Sequence, residues 1–576
     1  MKILDFVPAN CKNCYKCVRN CSVKAIKMVD DRAQIEEKRC VACGTCFLVC
    51  PQNARSILSD LDKVIQAIKE NKKVVISIAP SYLGIFKEPY RLIGALKKLG
   101  VYAVEETSIG AAKVTELYKE YIKNSDGRNI ITSACPSVNM MIEIYFPELL
   151  DNLIPLDSPM VAHSKMLLKK YGKDSFITFL GPCLAKKCEA YPYQVAGIMD
   201  AVISFEELEE FLTKNDVNLE DCEETFPDAA GSTTGQRYPI EKGILGGLVD
   251  VLNEKNYTSI AVAGSKSCKN LFEALSNNEL SNVCIEANMC EGACIGGPAI
   301  SKIEGNPYIR QVHIRNKIKQ NEKADKSFKN DYPDIDYYRK FRDASVPAMG
   351  HTEEQIKAVL NNIGKYTKED ELNCGSCGYE TCRDKAISVL NGLSHPEMCL
   401  PYMRNKAERI SNISFDYSPN ILFIVDENLN IIDINPKAED TFNAKAENMV
   451  GKNLSLLMPI ADCKAVIESG CDLIGKKIVL DSYGITAYSS IIYLPKLKIL
   501  FGILLDVTDE EKKKDKLLSL KLSTIESTNR VIEKQMRVAQ EIAGLLGETT
   551  AETKATLLKL KKIVADEESG KWWNIS

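Results

Sequence analysis

Three observations predict a multidomain α/β protein. The chain has 576 residues, more than one hydrophobic core usually covers. Regularly spaced cysteines occur near the start and again far downstream. Apolar runs of strand length alternate with helical periodicity between and beyond them. With 45% hydrophobic and 26% charged residues the chain reads as globular, and its 74 basic and 78 acidic side chains, net −4, offer no electrostatic footing for nucleic acid. The opening MKILDFVPANCKNC lacks the apolar stretch of a signal peptide, and no run of about 18 apolar residues occurs, so a cytoplasmic protein without a membrane segment is expected. In a reducing compartment, 22 cysteines point to metal rather than disulfides, and with only 4 histidines the ligands should be thiolates.

The first element is residues 1–58. Cys11, Cys14, Cys17 and Cys21 follow C-x2-C-x2-C-x3-C, and Cys40, Cys43, Cys46 and Cys50 repeat it, with Pro51 next. This is the two-cluster ferredoxin spacing, in which three close thiolates cap one 4Fe-4S cubane and the fourth cysteine of each run reaches the other. Cluster one takes Cys11, Cys14, Cys17 and Cys50; cluster two takes Cys40, Cys43, Cys46 and Cys21. A pair of zinc knuckles is the alternative, disfavoured by two identical runs.

Residues 59–340 hold isolated cysteines, which are usually small buried hydrophobes. Three contexts stand apart: TSACPS at Cys135, GPCLAKKCEA at Cys183, and EANMCEGACIGGPA at Cys290 and Cys294. In that order, after a ferredoxin-like module, they resemble the signature segments of the FeFe-hydrogenase catalytic domain, across roughly residues 1–315. The resemblance implies a two-lobed α/β domain in which Cys135, Cys183, Cys290 and Cys294 hold a 4Fe-4S cubane. Cys294 would bridge to a two-iron subcluster bearing carbon monoxide, cyanide and a dithiolate, the whole being the H-cluster. It also implies that Lys186 holds one cyanide and that Ser81, following the buried strand Val74 to Ala79, is a donor to the other. Soft thiolates suit iron, and a compact ammonium suits an anionic ligand in a dry pocket. GSTTG at Gly231 to Gly235 lacks the lysine of a phosphate loop and is expected to line the same pocket.

The sequence also departs from that family. Members with fast turnover carry a proton-donating cysteine just before the first cluster ligand, where this chain has Ala134, which has no proton to give. By the same resemblance Tyr118 and Tyr121 replace two relay glutamates and Ile154 a relay serine. Gly181 and Asn288 replace two pocket methionines, and Val138 a tryptophan. Cys188, Glu189 and Glu291 are the ionisable neighbours that offer another route.

In residues 341–408, Cys374, Cys377, Cys382 and Cys399 are spaced C-x2-C-x4-C-x16-C. Gly375 and Gly378 let the backbone wrap closely, and helical periodicity from Cys382 to Leu393 returns Cys399 to the same point. The segment resembles a small helical 4Fe-4S domain of corrinoid proteins and electron-transfer subunits, with zinc as the alternative. Residues 409–510, with SPNILFIVDENLNIIDINPKAEDTF and later strand-like runs, resemble an α+β PAS domain. Asn435 and DVTDEE at its end carry that resemblance. Residues 511–576 form a C-terminal helical segment in which Ile525, Ile532, Ala539 and Leu546 recur every seven residues, compatible with a short coiled coil and a homodimer despite Thr528 and Gln535. Cys463 and Cys471 are expected to be structural.

These expectations describe a sensory FeFe hydrogenase with three 4Fe-4S clusters besides the H-cluster. It interconverts hydrogen and protons slowly, exchanges electrons with a ferredoxin-type partner, depends on maturation proteins and signals to another protein through its PAS region. Two alternatives remain. One is an ordinary ferredoxin-linked hydrogen-evolving hydrogenase with a different proton path. The other is a non-catalytic iron-sulfur electron-transfer or cluster-assembly protein, against which Lys186 argues.

Overall fold

Every residue of Val74–Ile78, VVISI, is buried, as in a parallel strand covered on both faces. In the computed structural model, which describes residues 3–29, 32–190, 195–303, 305–321, 332, 334–347, 350–546, 555, 556 and 559, this strand lies inside a four-stranded parallel sheet. The order is Ala103–Glu106, Val74–Ile78, Phe176–Gly181, Ala201–Ser204. A second parallel sheet has the order Thr258–Ala263, Val283–Asn288, Ile130–Ile131. The chain divides into two units, Met1–Met403 and Arg404–Ser576, and both parallel sheets belong to the first.

In open parallel sheets, ligands bind outside the carboxyl ends of the strands, where the chain turns into loops and helix starts. Val74–Ile78 runs into Pro80 and Ser81, and Ala103–Glu106 into Thr107. Ile130–Ile131 runs into Ala134 and Cys135, Phe176–Gly181 into Pro182 and Cys183, and Val283–Asn288 into Cys290. The predicted strand from Val74 to Ala79 therefore forms, one residue shorter, and every predicted cysteine context in this region follows such a strand end.

The N-terminal cysteines sit between short antiparallel pairs, Leu4–Phe6 with Arg55–Ile57 and Ile26–Val29 with Arg32–Ile35. Downstream, the helix Cys382–Leu390 starts at a capping box in which Thr381 and Asp384 satisfy each other's backbone amides. It stops short of the expected Leu393. Gly378, at φ +92°, lies where an added Cβ would fall 2.9 Å from the Arg19 Cα, so only glycine lets this loop press on the N-terminal module.

The second unit holds a five-stranded antiparallel sheet, ordered Ile431–Ile434, Ile421–Asp426, Ile499–Asp506, Ile485–Leu494, Leu473–Leu480. Short helices fill the middle, as the sequence implies, and Phe423, Ile431, Leu454 and Leu500 are among the buried core. Asn435 is fully buried at the hinge of this arrangement. Its Oδ1 accepts from the Leu422 and Ala438 amides at 2.9 and 3.0 Å, and its Nδ2 donates to the Phe415 and Asn420 carbonyls at 3.1 and 2.9 Å. One side chain thus caps the helix Pro436–Phe442 and ties it to the first strand. Cys463 is buried in the core, whereas Cys471 is exposed.

The helix Thr508–Leu546 leaves the sheet. Ile525 and Ile532 are half-buried on it and Ala539 is exposed, while the Leu546 side chain and residues 547–554, 557, 558 and 560–576 of the expected C-terminal segment fall outside the described residues. Among the described residues no helix is long and apolar enough to cross a membrane.

Replacing Asn435 by Ala removes a helix cap and leaves buried backbone groups unpaired, so the second unit should lose about 3 kcal/mol. Denaturant unfolding of the full chain checks this, with a lower midpoint expected for the sheet's transition.

Candidate metal centre

A cavity of about 90 Å³, several times the room one water needs, opens where the two parallel sheets end. Ser81, Thr107, Ala134, Cys135, Cys183, Lys186, Asn288 and Cys294 all line it. Cys290 stands behind that wall. Burial pushes its thiol well above the ordinary value, and the sulfurs of Cys183, Cys135 and Cys294 add to the rise. Burial likewise pushes Cys183 up to about 11, with Cys135 adding and the Lys186 ammonium opposing. Cys294 is raised in the same way, by burial first and then by Cys183 and Cys135. The four sulfurs are therefore near enough to feel one another although they come from segments far apart in sequence. Among the described residues no group of three or more His, Cys, Asp or Glu side chains is set to hold a single metal ion.

The loop carrying Cys290 and Cys294 is pinned from behind. Arg310 is buried and donates to the carbonyls of Ile295 at 3.1 Å and Ile303 at 2.7 Å. At Gly296 an added Cβ would fall 1.8 Å from the Glu291 carbonyl oxygen, so the turn closes only around glycine.

Lys186 lies on the cavity wall but does not point at an empty space alone. Its Nζ donates to Glu189 Oε2 at 2.6 Å and to Ser158 Oγ at 2.8 Å, and stands 3.4 Å from the Ala134 carbonyl. Glu189, wholly buried, also takes Arg339 on its other oxygen at 2.5 Å. Burial alone would raise the Glu189 carboxyl, but the Lys186 and Arg339 charges outweigh it and hold it below the usual carboxylate value. Ser81 is different: its Oγ is buried and has no hydrogen-bond partner, although it sits in the cavity wall. An orphaned donor of this kind costs stability unless something in the cavity accepts from it. Buried soft thiolates, one ammonium and an unpaired hydroxyl around a single cavity are a donor set suited to an iron-sulfur group with anionic ligands.

The other expected replacements are found as follows. Tyr118 and Tyr121 lie on the helix Ser108–Lys123, and the buried Tyr118 hydroxyl meets Ser133 Oγ at 3.2 Å, one residue from Ala134. Val138 and Ile154 are core residues. Asn288 reaches the cavity wall, where it donates to Glu286 Oε1 at 3.2 Å. GSTTG does not line the cavity. Gly231 and Gly235 pack directly on Ser108, with Cβ positions 2.4 and 2.0 Å from its backbone, because the segment serves as a spacer against a helix start. Cys188 and Glu189 face another cavity, beside Arg339 and Cys40, and Glu189 is locked in the ion pairs above.

The other expected ligand cysteines lie in two places, while Cys222, Cys268 and Cys284 are lone core residues. Burial pushes Cys21 up to about 12, followed by the Cys43 and Cys40 sulfurs, and Cys46 is raised by burial and by Cys43, Cys40 and Cys21 against the pull of Arg55. Cys21 thus lies close to the sulfurs of the second run. Cys17 is raised chiefly by burial, with Cys14 adding, while Cys50 accepts a hydrogen bond from the Ala54 amide at 3.3 Å. Cys374, Cys377, Cys382 and Cys399 line one small cavity with Lys385. This loop packs on the N-terminal module: Tyr379 shares a buried core with Cys21, Ile26 and Met28, and the His395 ring nitrogen meets the Met28 carbonyl at 3.1 Å. On the opposite side, Ala42 and Cys46 pack with Leu184, and Cys43 raises Cys290.

Sequence reasoning passed over Ser77, Glu105, Thr107 and His163, all buried between the cavity and the surface. A signal was present: two acidic residues end an otherwise apolar strand in AVEE, and a histidine lies on the helix Pro159–Tyr171, among residues that are mostly apolar.

Removing the Glu189 carboxylate by Glu189→Leu leaves buried Lys186 and Arg339 uncompensated and should cost about 3–5 kcal/mol, far more than Glu189→Gln. Denaturant unfolding of both variants measures the difference. Because the Glu189 pKa is lowered on folding, its contribution is present at neutral pH and fades as pH falls below the ordinary carboxylate range.

Residues 72–298 match the iron only hydrogenase large subunit, C-terminal domain. Residues 10–54 match the 4Fe-4S dicluster domain, 370–401 an Fe-S cluster family, and 410–471 the PAS fold. The chain is 26% identical to iron hydrogenase 1 of Clostridium pasteurianum over 320 residues, which are 45% of this chain and 54% of that protein. It is 24% identical to NADP-reducing hydrogenase subunit HndD of Solidesulfovibrio fructosivorans over 386 residues, 54% of this chain and 64% of that one. Each match thus spans less than two thirds of the relative's length. Among solved structures, a FeFe hydrogenase of Chlamydomonas reinhardtii is 17% identical with a TM-score of 0.35, covering 45% of this chain and 88% of that chain. The chain is a hydrogenase-like iron-sulfur protein with a PAS domain, and its first unit carries the iron-only hydrogenase domain.

Proposed function

We propose that the protein is a sensory FeFe hydrogenase, which oxidises hydrogen slowly and reversibly and passes the electrons through iron-sulfur clusters toward a PAS signalling region. The observation that carries this reading is the meeting of Cys135, Cys183, Cys294, Lys186 and the unpartnered Ser81 at one cavity that Ala134 also lines. Cys135, Cys183, Cys290 and Cys294 would hold the cubane of an H-cluster, with Cys294 as the bridge, and Ser81 and Lys186 would donate to its anionic ligands. Bound there, that group supplies the splitting of hydrogen into protons and electrons. The residues of this chain bind it, keep it dry and leave it without a thiol at position 134.

The electron path follows the packing. Cys40, Cys43, Cys46 and Cys21 would form the cluster between the catalytic cysteines and the Cys374, Cys377, Cys382 and Cys399 cluster, since Cys43 acts on Cys290 while Cys21 shares a core with Tyr379. Cys11, Cys14, Cys17 and Cys50 would hold the remaining cubane. Within this proposal, residues 1–58, 59–340, 341–408, 409–510 and 511–576 act as ferredoxin-like, catalytic, third-cluster, PAS and helical parts. A ferredoxin-type acceptor, maturation proteins, a downstream protein and a second copy of the chain through the last helix complete it.

Low throughput follows from a cavity wall that offers alanine where fast relatives offer a thiol. Under hydrogen, the matured full-length protein should lose its iron-sulfur absorbance slowly, and the protein without the two-iron group should not. Bleaching by dithionite but never by hydrogen would overturn the proposal, and bleaching as fast as in efficient hydrogenases would favour a hydrogen-evolving enzyme over a sensor.

A further inference from the structure

We propose that a buried chain of Glu105, His163, Ser77 and Thr107 carries protons between the surface at Lys170 and Tyr171 and the cavity beside Ala134, an inference that rests on the reading of that cavity given above. Glu105 is the penultimate residue of the strand Ala103–Glu106, and its side chain is 1% exposed. Its Oε1 accepts from Lys170 Nζ and from Tyr171 OH, both at 2.5 Å. Lys170 is 36% exposed, so this end of the chain meets water. Glu105 Oε2 stands 3.5 Å from His163 Nε2. The other ring nitrogen, Nδ1, is 2.8 Å from Ser77 Oγ, and Ser77 Oγ is 2.7 Å from Thr107 Oγ1. Thr107 lines the cavity together with Ala134 and Cys135.

Nothing in the fold requires this chain. Ser77 lies on the central strand, between Ile76 and Ile78, and His163 is buried among Val161, Ala162 and Met166. Apolar side chains would pack at those positions without the desolvation cost that a buried carboxylate, imidazole and two hydroxyls carry. Each member has the chemistry a relay needs. An imidazole takes a proton on one nitrogen and releases another from its second, and serine and threonine hydroxyls accept and donate at once. In one passage a proton enters at Glu105, moves to His163 Nε2, and His163 releases its Nδ1 proton to Ser77. Ser77 hands its own to Thr107, and Thr107 hands one to the cavity. One proton enters, one leaves, and no electrons move; ring and hydroxyl reorientation resets the chain.

Two features set its rate. The 3.5 Å separation of Glu105 and His163 exceeds a hydrogen bond, so it is the slow link. Burial would raise the Glu105 carboxyl, but the His163 ring beside it and hydrogen bonds from Lys170 and Tyr171 hold it down to about 2, so the proton passes through Glu105 without resting there. Both suit a site that turns over slowly.

Two readouts test the chain. In the full-length protein without the two-iron group, NMR of isotope-labelled histidine should show the His163 ring resonances shifted in both Ser77→Ala and Glu105→Gln, and resonances indifferent to both would overturn the proposal. In the matured protein, Thr107→Val and Ser77→Ala should slow hydrogen-driven bleaching at least tenfold and raise its solvent deuterium isotope effect. Bleaching by dithionite should be unchanged, which shows intact clusters, and Thr107→Ser, which keeps the hydroxyl, should restore the rate. Equal rates in Thr107→Val and the natural protein would overturn the relay while leaving the cofactor reading standing. A natural protein that hydrogen never bleaches, with the His163 shifts present, would overturn the cofactor reading and remove the relay's terminus.

Discussion

The structure of the first unit depends on one constraint: thiols from distant segments must lie dry and close together at a single point. Parallel strands meet it, because every strand of such a sheet ends on the same side. Ile130–Ile131, Phe176–Gly181 and Val283–Asn288 deliver Cys135, Cys183 and Cys290 to the shared end of two sheets, and the pinned turn after Cys290 adds Cys294. Burial and mutual repulsion make the Cys183, Cys290 and Cys294 sulfurs poor thiolates on their own. A bound metal group reverses this, since the positive iron stabilises the charge that burial disfavours.

The same wall shows how support is layered behind a metal site. Lys186 faces the cavity yet is held by Glu189, which is held in turn by Arg339 and Ser158, so an ammonium is presented in one orientation rather than as a mobile chain. Two kinds of polar group are then left over. Ser81 has no partner, and the line from Thr107 through Ser77 to His163 is hydrogen-bonded, with Glu105 3.5 Å beyond the ring, and faces the cavity only at one end. The first fits an absent acceptor, and the second fits traffic. The Ala134 side chain, on the same wall, offers neither a donor nor an acceptor.

How much of this was legible in the sequence follows from how local each signal is. The cysteine runs at 11–50 and 374–399 announce themselves because cluster ligands from one short segment need fixed spacing. The spacing also assigns Cys21 to the second run, and in the fold Cys21 feels the Cys43 and Cys40 sulfurs. Asn435 was readable for the same reason, since its partners lie within about twenty residues. Of Cys135, Cys183, Cys290 and Cys294 only the last two share a short spacing, C-x3-C, and the four were brought together through resemblance. The GSTTG segment was misplaced because glycine pairs mark close packing as readily as a binding loop, and here they pack on Ser108. Glu105 and His163 are 58 positions apart and meet only through sheet and helix packing. Nothing short of the fold brings them together.

The central claim is that the cavity at the strand ends holds a two-iron group with carbon monoxide and cyanide ligands on a cubane bound by the four cysteines. Infrared spectroscopy of the matured full-length protein tests it most directly, because few other groups in a protein absorb where these diatomic ligands do. The account predicts carbonyl and cyanide bands that disappear in Cys294→Ala and shift in Lys186→Met, where the ammonium donor is gone. A matured sample with a full complement of iron-sulfur clusters and no such bands would contradict it.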